Sequence, residues 1–454
     1  MKKGIIPTVS VVMPVCNEKL FFNESLSSVL HQTFGEIEVL IIDGSDDKEL
    51  IPTLLPKDDR IRYLYREKHG IADALNFGLE NSKGRYIARM DADDISLPNR
   101  FERQVGFLEE HEEADVVGTW YSVIREDGSI VQEMEPVTSH NQIVANLLFE
   151  NPICHPSVMF RRRLIDDGIR YPKTTAEDYA LWTDIIGKYR FANIPEVLLN
   201  WRRSDNANTN VMLDKVIDSD EDNTLSYVIS LFGLSFDKYI NNKHLLIKNH
   251  FPNKIRELYR TFGAEYIVDE FRFLVEIINC CPKDISREVE FEVEKRWKMF
   301  LDMIGCFSPS MRKLYEIAFA VKSIEDISII ARILDENESR RKELMSASLA
   351  IALYGMGSEG KKVLREIRDL AAKGIIKWRI IGFFDRQVRS VNADGEEYEV
   401  FEKSKLKQFQ YDLIIVSSSI YYKEIVNELV EEGIERDIIQ SSSILNYSLK
   451  REYI

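Results

Sequence analysis

Residues 85–94 read RYIARMDADD, an apolar-rich stretch that runs directly into three acidic side chains. Tyr86–Met90 predicts a strand, and Asp91 and Asp93 would then lie on one side of an extended chain. At the carboxyl end of a parallel strand, that side faces the ligand crevice. Carboxylates packed together repel each other unless a cation neutralises them, and Mg²⁺ or Mn²⁺ bridging to a diphosphate is the natural partner. Taken alone, however, D-x-D-D is more typical of a polar turn that caps a helix, here the one expected near Pro98.

The surrounding segment, to about residue 205, alternates short apolar runs with helical patterns. This alternation indicates a doubly wound α/β domain with a parallel sheet. Further strands are expected at Val9–Met13, Val39–Ile42, Ile61–Tyr65 and Ala114–Thr119. Helical spacing is shown by Phe22, Leu26, Val29 and Leu30, and a second helix is expected over Ile71–Asn81.

Two other strand ends carry residues that suit a nucleotide. Asp43 closes the second strand, where it could accept hydrogen bonds from a base or ribose, although an acid before Gly-Ser is also a common turn sequence. The first strand is expected to stop at Pro14, and Asn17 and Glu18 follow in a loop. This loop has no glycine-rich cradle and no G-K-[ST] sequence, which excludes a P-loop NTPase.

The composition and the apolar pattern change twice along the chain, and they predict two further domains after an N-terminal domain of residues 1–210. From 211 to 340, Gly and Pro are sparse and segments such as SREVEFEVEKRWKMFLDMI show helical amphipathicity. A helical connector or packing domain is favoured there over a separate active site. From 341 to 454, three apolar stretches each predict a strand: LMSASLAIALY, IKWRIIGFFDR and YDLIIVSSS. With helical segments between them, they predict a small Rossmann-like α/β domain.

The third domain contains a glycine loop. Gly355, Gly357 and Gly360 follow a predicted strand and precede a predicted helix in G-x-G-x-x-G order, and Asp385 ends the next strand. Such a loop could hold a phosphate on helix N-terminal amides, with the acid on a ribose. The stretch resembles nucleotide-binding half-domains of sugar-modifying and capsule-synthesis proteins. A nucleotide-type ligand and a turn that binds nothing both stay open.

The composition narrows the class of protein. The chain has 454 residues, 44% of them apolar, and 60 basic against 75 acidic side chains give a net charge of −15. This balance argues against a nucleic-acid partner and against a polybasic membrane-binding surface. No apolar run approaches the roughly 18 residues of a transmembrane segment. The five cysteines, which lack metal-site spacing, are typical of reduced thiols. A cytoplasmic protein is expected, and peripheral association with the inner face of the membrane is compatible with these features.

Five stretches in order resemble the family 2 glycosyltransferases of the GT-A fold. They are VSVVMPVCNE, SLSSVLHQTF, EVLIIDGSDD, GIADALNFGLENSKGRYIARMDADD and LPNRFERQ. The resemblance covers roughly residues 8–205. It implies a GT-A domain, a nucleotide-sugar donor and a divalent cofactor, Mn²⁺ or Mg²⁺. Together with the preceding strand, it favours metal binding over a capping turn for the DADD sequence.

The resemblance also implies site residues on the donor side. Those expected to bind the donor nucleotide are Pro14, Asn17, Glu18, Asp43, Asp73, Asn76 and Asp91. Among them, Asp43 would contact the nucleobase and Asp91 the ribose. Asp93, together with Asp91, would ligate the metal ion that holds the donor diphosphate.

On the acceptor side, the stretch TTAEDYALWTDI matches the helix start that supplies the catalytic base in this family. Asp178 is favoured as the base, which removes a proton from the acceptor hydroxyl as its oxygen attacks the anomeric carbon. Its neighbour Glu177, together with Trp182 and His155, is expected on the acceptor side. Without the resemblance, an acidic pair at a helix N-terminus is explained by the helix dipole alone.

Two departures from the family pattern stand out. Ser204 occupies the position where a histidine often approaches the metal, and Cys16 the position where an aromatic ring is common near the base. Arg202 and Arg203, beside Ser204, are expected to compensate charge there. The leading expectation is an inverting transferase that uses a nucleoside-diphosphate sugar, with UDP favoured, on a saccharide or glycolipid acceptor in surface polysaccharide synthesis.

Two other classes of protein are weighed against this expectation. A sugar-nucleotidyltransferase would need a Gly-rich, basic loop after the first strand, which PVCNEKLFF is not. A nucleotide-sensing protein with a degenerate transferase domain is disfavoured by the intact DADD sequence and the pair of Glu177 and Asp178.

Overall fold

The computed structural model describes residues 6–67, 70–203, 213–232, 264–304, 324–374, 376–386, 389–393, 395–417 and 422–441, together with 245, 255 and 258. The chain divides into two compact units. The first comprises Met1–His250 and Cys280–Glu292, and the second Phe251–Asn279 and Val293–Ile454. These bounds do not coincide with the boundaries expected at residues 210 and 340, and the division into three domains stays a prediction.

The first unit contains a nine-stranded sheet. Its strands are β1 (Val9–Val15), β2 (Ile37–Asp43), β3 (Ile61–Tyr65), β4 (Tyr86–Arg89), β5 (Ile95–Ser96), β6 (Val116–Ile124), β7 (Ile130–Met134), β8 (Met159–Arg161) and β9 (Phe191–Arg202). Their order is β3-β2-β1-β4-β8-β6-β9-β5, with β7 paired to β6. The first four strands are parallel, whereas β8 runs antiparallel to both β4 and β6. The sheet is therefore mixed rather than parallel as expected, because an apolar pattern reports burial and not strand direction.

Eight described helices belong to the first unit. They are α1 (Phe22–Leu30), α2 (Leu50–Leu54), α3 (Ile71–Asn81), α4 (Arg100–Glu110), α5 (His140–Asn146), α6 (Arg163–Asp166), α7 (Glu177–Ile185) and α8 (Leu213–Phe232). Helix α3 has the predicted bounds. The predicted apolar side chains of α1 are buried against β1 and β2, which anchors the loop that precedes this helix.

Pro14 does not end β1, contrary to the sequence-based expectation. The strand continues to Val15, and Pro14 lies opposite Ile42 of β2. Met90 donates its N–H to the carbonyl of Val12, so even-numbered residues of β1 direct their polar groups toward β4. The pairing between β1 and β4 ends at Val12 and Arg89. Since no strand lies beside β1 at Pro14 on that side, the missing N–H costs no ladder hydrogen bond.

The middle of the chain is helical where it is described. Its helices are α9 (Ala264–Cys280), α10 (Ser286–Ile304) and α11 (Ile324–Ser346). Within the second unit, Nε of Arg296 donates to Oε1 of Glu270 over 2.7 Å, and both side chains are fully buried. A role for this region as a connector stays a prediction.

The second unit ends in a six-stranded sheet. Its strands are β10 (Ala350–Tyr354), β11 (Arg379–Asp385), β12 (Arg389–Ala393), β13 (Glu396–Glu402), β14 (Leu413–Val416) and β15 (Ile439–Ser441), and its helices are α12 (Ser358–Ala372) and α13 (Tyr422–Glu431). The order is β12-β13-β11-β10-β14-β15, with β12 antiparallel. The first strand starts later than LMSASLAIALY suggested, because Leu344 and Met345 still belong to α11 and are buried from it.

No helix in the described part of the chain is long and apolar enough to cross a membrane.

Candidate active site

The acidic turn lies directly after β4. One carboxylate oxygen each from Asp91, Asp93 and Asp94 falls within a mutual distance of 4.8 Å. The hydroxyl of Ser25 on α1 donates to the carbonyl of Asp91 over 2.7 Å, which fixes the start of the turn. The predicted convergence of these carboxylates is therefore present in the fold.

The last residue of β9 holds this turn in place. The main-chain N–H of Arg202 donates to Oδ1 of Asp94 over 2.7 Å, and its Nε donates to the carbonyl of Asp93 over 2.8 Å. The rest of the guanidinium bonds Glu24 over 2.6 Å and stacks on Phe21. Arg202 is thus a structural tie for the turn, while Arg203 is exposed and Ser204 lies outside the described residues.

The electrostatics of the turn suit a divalent cation. Burial and the charge of Asp91 raise the pKa of Asp93 to about 7. Burial, then Asp91 and Asp93, raise the pKa of Asp94 well above its usual value. Oδ2 of Asp94 is buried and has no hydrogen-bond partner among the described residues. Three hard oxygen donors in a site that disfavours their own charge fit Mg²⁺ or Mn²⁺.

Asp43 ends β2 and is fully buried. Its Oδ1 accepts from the N–H of Ser45, and its Oδ2 accepts from the hydroxyl of Tyr63, both over 2.8 Å. Burial, followed by the hydrogen bond to Asp43, raises the pKa of Tyr63. Tyr63 on β3 was not identified from the sequence. The predicted nucleobase contact of Asp43 would have to share a carboxylate that the protein already orients.

The loop after β1 is tied to the loop after β2. Asn17 has a φ of +58°, a left-handed conformation that asparagine tolerates. Its side chain exchanges two hydrogen bonds with Asp46, and its N–H donates to Ser45 over 2.8 Å.

The loop after β1 is also bonded to the start of α1. Oε1 of Glu18 accepts from the N–H of Leu20 and of Phe21. The exposed Cys16 contacts the carbonyl of Gly44. Both loops are therefore ordered at the same edge of the sheet.

The two candidate residues of α3 are engaged by the protein. Asp73 pairs with Arg66 at 2.5 Å and with Lys173 at 3.6 Å. The amide of Asn76 exchanges two hydrogen bonds with the main chain of Tyr171, at 2.9 and 2.8 Å. Their predicted contacts with a donor stay predictions. In this structure, Asn76 positions the segment that carries Tyr171.

Glu177 and Asp178 begin α7, as the sequence indicated. Burial and the charge of Asp178 raise the pKa of Glu177 to about 8. Burial also raises the pKa of Asp178, while hydrogen bonds from the main chain and from Asn151 and the charge of Arg89 oppose the rise. Nδ2 of Asn151 donates to Oδ2 of Asp178 over 3.0 Å. Asp178 is therefore oriented by a side-chain hydrogen bond from a neighbouring segment.

His155 and Trp182 form a buried support beneath this pair. Nε2 of His155 lies 3.0 Å from the hydroxyl of Tyr171, and its Nδ1 lies 3.9 Å from Oε1 of Glu177. Burial lowers the pKa of His155 well below its usual value, so the ring is neutral. Trp182 is fully buried and packs edge-on to His155 and Tyr171. Direct contact of either ring with an acceptor stays a prediction, and the observed contacts are all internal.

Comparisons with known proteins establish the family of this chain. The profile described as "Glycosyl transferase family 2" matches residues 10–169. The O-antigen biosynthesis glycosyltransferase WbnJ of Escherichia coli is 33% identical over 210 residues, which are 44% of this chain and 82% of that protein. The chain belongs to glycosyl transferase family 2. An uncharacterized glycosyltransferase of Haemophilus influenzae is 30% identical over 261 residues, 53% of this chain and 80% of its own.

A solved structure and a second profile are also similar to parts of this chain. The crystal structure of S. aureus TarS 1-349 in complex with UDP-GlcNAc is similar over 73% of this chain and 91% of its own, with 18% identity and a TM-score of 0.42. The profile described as "C2185-like, N-terminal" matches residues 347–440 in the second unit. This family 2 protein is a glycosyltransferase with a GT-A-like α/β fold. Its acidic turn, Asp91–Asp94, lies within residues 10–169, the segment that the family 2 profile matches.

Sequence reasoning missed one central residue of this glycosyltransferase. Arg89, the last residue of β4, forms an ion pair with Asp91, and its side chain is only 7% exposed. It lies two positions before Asp91, which is the spacing of neighbours on one side of a strand. That spacing was available in the sequence. What the sequence could not show is that the N–H of Arg89 donates to the carbonyl of Val158 over 2.9 Å, three residues after His155.

The glycine loop of this glycosyltransferase connects β10 to α12, in the predicted order of a strand, a loop and a helix. Gly355 has a φ of +90°, and a Cβ on Gly360 would lie 1.9 Å from the carbonyl oxygen of Gly355. A Cβ on Gly357, in contrast, would meet nothing within 4 Å. The N–H of Met356 lies 3.4 Å from Oδ2 of Asp385. Helix α12 therefore packs directly on the loop, and Gly357 borders open space.

Proposed function

We propose that this glycosyltransferase moves a sugar, with inversion, from a nucleoside-diphosphate donor to a hydroxyl of a saccharide or glycolipid. The observation that carries the proposal is the convergence of the carboxylates of Asp91, Asp93 and Asp94 after β4, where Arg89 forms an ion pair with Asp91. A transferase needs its leaving-group site and its base within one substrate length. The hydrogen bonds that join Arg89 through Val158 to His155, which lies 3.9 Å from Glu177, support such proximity. A UDP-linked donor is favoured by the family resemblance.

Asp93 and Asp91 are the proposed metal ligands. A bound Mn²⁺ or Mg²⁺ ion would neutralise the charge that develops on the departing diphosphate. Asp94 is less suited to this role, because its side chain is fully buried and one of its oxygens accepts from Arg202, whereas Asp91 and Asp93 are partly exposed. The protein's own contribution is to hold the first two carboxylates at the end of β4.

Asp178 is the proposed general base. It takes the proton of the acceptor hydroxyl while that oxygen forms a bond to the anomeric carbon. The bond from this carbon to the nucleoside diphosphate breaks on the opposite face, which inverts the configuration. Asn151 orients the carboxylate for this step. Glu177, whose pKa is raised to about 8 by burial, is largely protonated at neutral pH and is a poor acceptor for the same proton.

The proposed class of acceptor is supported by the name of a similar protein. The Escherichia coli protein is named for O-antigen biosynthesis, which supports a saccharide or lipid-linked saccharide acceptor here. Such an acceptor is compatible with a cytoplasmic enzyme that associates peripherally with a membrane.

For the second unit, we propose a Rossmann-like domain that holds a nucleotide-type ligand on the loop of Gly355, Gly357 and Gly360, with Asp385 beside it.

A donor screen tests the transfer reaction. The full chain is incubated with UDP-, GDP- and dTDP-sugars, with Mn²⁺, Mg²⁺ or EDTA, and with saccharide acceptors. The release of nucleotide is measured, and NMR of the product gives the anomeric configuration. Nucleotide release from one donor class with an inverted product supports the proposal. A retained configuration contradicts the single-displacement step, and the absence of release with every donor contradicts the proposed reaction.

A further inference from the structure

Arg89 carries a buried charge that the proposed reaction does not yet use. Its Nη1 forms an ion pair with Oδ2 of Asp91. Its Nε is buried and has no hydrogen-bond partner among the described residues. Burial of a guanidinium is costly unless its charge and its donors are matched. A buried arginine with a donor to spare therefore calls for a functional explanation.

The charges around Arg89 are of one sign. The acidic groups of the site are Asp91, Asp93, Asp94, Glu177 and Asp178. Within the described part of the chain, Arg89 and His155 are the basic side chains within 4.0 Å of any of these five carboxylates. His155 is neutral because burial lowers its pKa. Arg89 thus supplies the fixed positive charge of the site.

The other buried arginines near the turn are occupied elsewhere. Arg202 directs its guanidinium to the carbonyl of Asp93 and to the carboxylate of Glu24. Arg100 on α4 donates to Gln104 and to the carbonyl oxygen of Arg89. The guanidinium of neither residue pairs with a carboxylate of the turn, so neither side chain can replace that of Arg89.

The influence of Arg89 reaches both halves of the site. On the proposed donor side, its guanidinium forms the ion pair with Asp91. Toward the proposed acceptor side, its main-chain N–H donates to the carbonyl of Val158 over 2.9 Å, and the N–H of Val158 donates to the carbonyl of His155 over 3.2 Å. Nδ1 of His155 lies 3.9 Å from Oε1 of Glu177. Arg89 is therefore bonded to the donor-side carboxylate and, through the main chain, to the residue that contacts the acceptor-side pair.

Resting on the proposed function, we infer that Arg89 is a positioning residue of the transfer reaction. Its guanidinium fixes Asp91 for the donor and offsets the repulsion among the carboxylates of the acidic turn before substrates arrive. The planar fork of arginine can pair with Asp91 while it directs other donors elsewhere, which a lysine ammonium does not reproduce. Arg89 shapes the site through other groups and forms no bond to the transferred sugar.

The test compares Arg89→Met and Arg89→Lys with Arg62→Met. Arg62 is the control, since it also pairs with an acidic side chain of the first unit, at 2.7 Å with the buried Glu38, which lies at the opposite end of β2 from Asp43. Loss of an outer-shell partner typically lowers activity about 10–100-fold. We expect Arg89→Met and Arg89→Lys to lower kcat/KM for the donor found in the screen by this factor, and Arg62→Met to leave it near the wild-type value.

A direct measurement of Mn²⁺ affinity distinguishes a positioning role of Arg89 from damage to the fold. Electron paramagnetic resonance of the donor-free protein measures the affinity for Mn²⁺ alone. Removing one positive charge beside the acidic turn should tighten Mn²⁺ binding about tenfold in Arg89→Met, because the cation no longer competes with the guanidinium. Arg89→Lys should keep the wild-type affinity. A collapsed site would instead bind Mn²⁺ more weakly.

The outcomes are distinguishable from failure of the proposed function. If wild-type protein releases no nucleotide from any donor, the proposed function fails. If the wild type is active and both Arg89 variants retain its kcat/KM, the inference about Arg89 is overturned. It is also overturned if Mn²⁺ binds Arg89→Met no more tightly than the wild type. If Arg89→Met does not fold, full activity of Arg89→Lys would overturn the inference by itself.

Discussion

The main-chain N–H of Arg202 donates to Oδ1 of Asp94 over 2.7 Å, across a separation of 108 residues in sequence. This hydrogen bond gives the acidic side chains of the turn different roles. The buried Asp94 ties the turn to the last residue of β9, whereas the partly exposed Asp91 and Asp93 keep carboxylate oxygens that a ligand can reach. Substitutions within one tetrapeptide should therefore have different consequences.

The first prediction separates Asp93 from Asp94. Asp93→Asn should lower donor turnover by orders of magnitude without loss of stability, because it removes a proposed metal ligand and relieves repulsion with Asp91. Asp94→Ala should lower the free energy of unfolding by about 1–3 kcal/mol, since it leaves the N–H of Arg202 unpaired. Turnover assays and urea titrations of both variants provide the measurements. Wild-type turnover that persists in excess EDTA would contradict the metal assignment.

The second prediction concerns the base. Asp178→Asn should reduce sugar transfer about 10²–10⁴-fold and leave donor binding nearly unchanged, because general-base catalysis acts on the acceptor proton. Glu177→Gln is the matched control and should retain most activity at pH 7, because the amide resembles the protonated acid. Single-turnover rates and calorimetric donor titrations measure the two effects. An inactive Glu177→Gln beside a fully active Asp178→Asn would reverse the assignment.

The third prediction concerns stability and pH. The folded protein raises the pKa of Glu177 from 4.5 to about 8, chiefly by burial, so this group binds a proton more tightly when folded. The stability that it contributes is fully present below about pH 4.5 and is lost as the pH rises through about 8. Glu177→Gln should therefore gain stability relative to the wild type between pH 5 and about 8. Thermal unfolding across this range checks it, with the exposed Glu110→Gln as control, and an unchanged difference would contradict the pKa shift.

The fourth prediction concerns the tie between α3 and Tyr171. Asn76→Ala removes two hydrogen bonds to the Tyr171 main chain and should cost about 1–3 kcal/mol of stability. It should also lower acceptor turnover, because Tyr171 supports His155 beneath Glu177. Asn81→Ala, which removes one bond to Phe77 within the same helix, is the control. Equal losses in both variants would show that the position of Tyr171 is set by other contacts.

The fifth prediction concerns the glycine loop. A side chain at Gly357 meets open space, so Gly357→Val should leave the fold intact while it blocks a phosphate from the loop amides. Gly360→Ala should destabilise the unit, because its Cβ would overlap the Gly355 carbonyl. Titration of the full chain with NAD, NADP and coenzyme A, followed by near-ultraviolet circular dichroism, measures both effects. Wild-type protein that binds none of these compounds would favour a loop that holds no nucleotide.

The local pattern of the sequence was sufficient for the elements that carry the site. Helix α3 and strand β3 have the bounds that apolar periodicity indicated, because α3 buries one apolar face and β3 packs the partly buried Ile61 and Tyr63 against the core. The acidic turn was placed correctly after a strand, since the residues RYIARM are apolar enough to be buried there. The pair of Glu177 and Asp178 was placed correctly at a helix start. These features depend on neighbours in sequence.

Tertiary structure alone decided how those parts meet. The direction of β8, the continuation of β1 through Pro14 and the tie between Arg202 and Asp94 all depend on strands that are distant in sequence. The same holds for Arg89, whose spacing to Asp91 is visible in the sequence but whose main-chain hydrogen bond to Val158 is not. Burial by distant segments also sets the charge state of each carboxylate. A one-dimensional pattern records which side of an element is apolar, but electrostatic energy depends on distances in space.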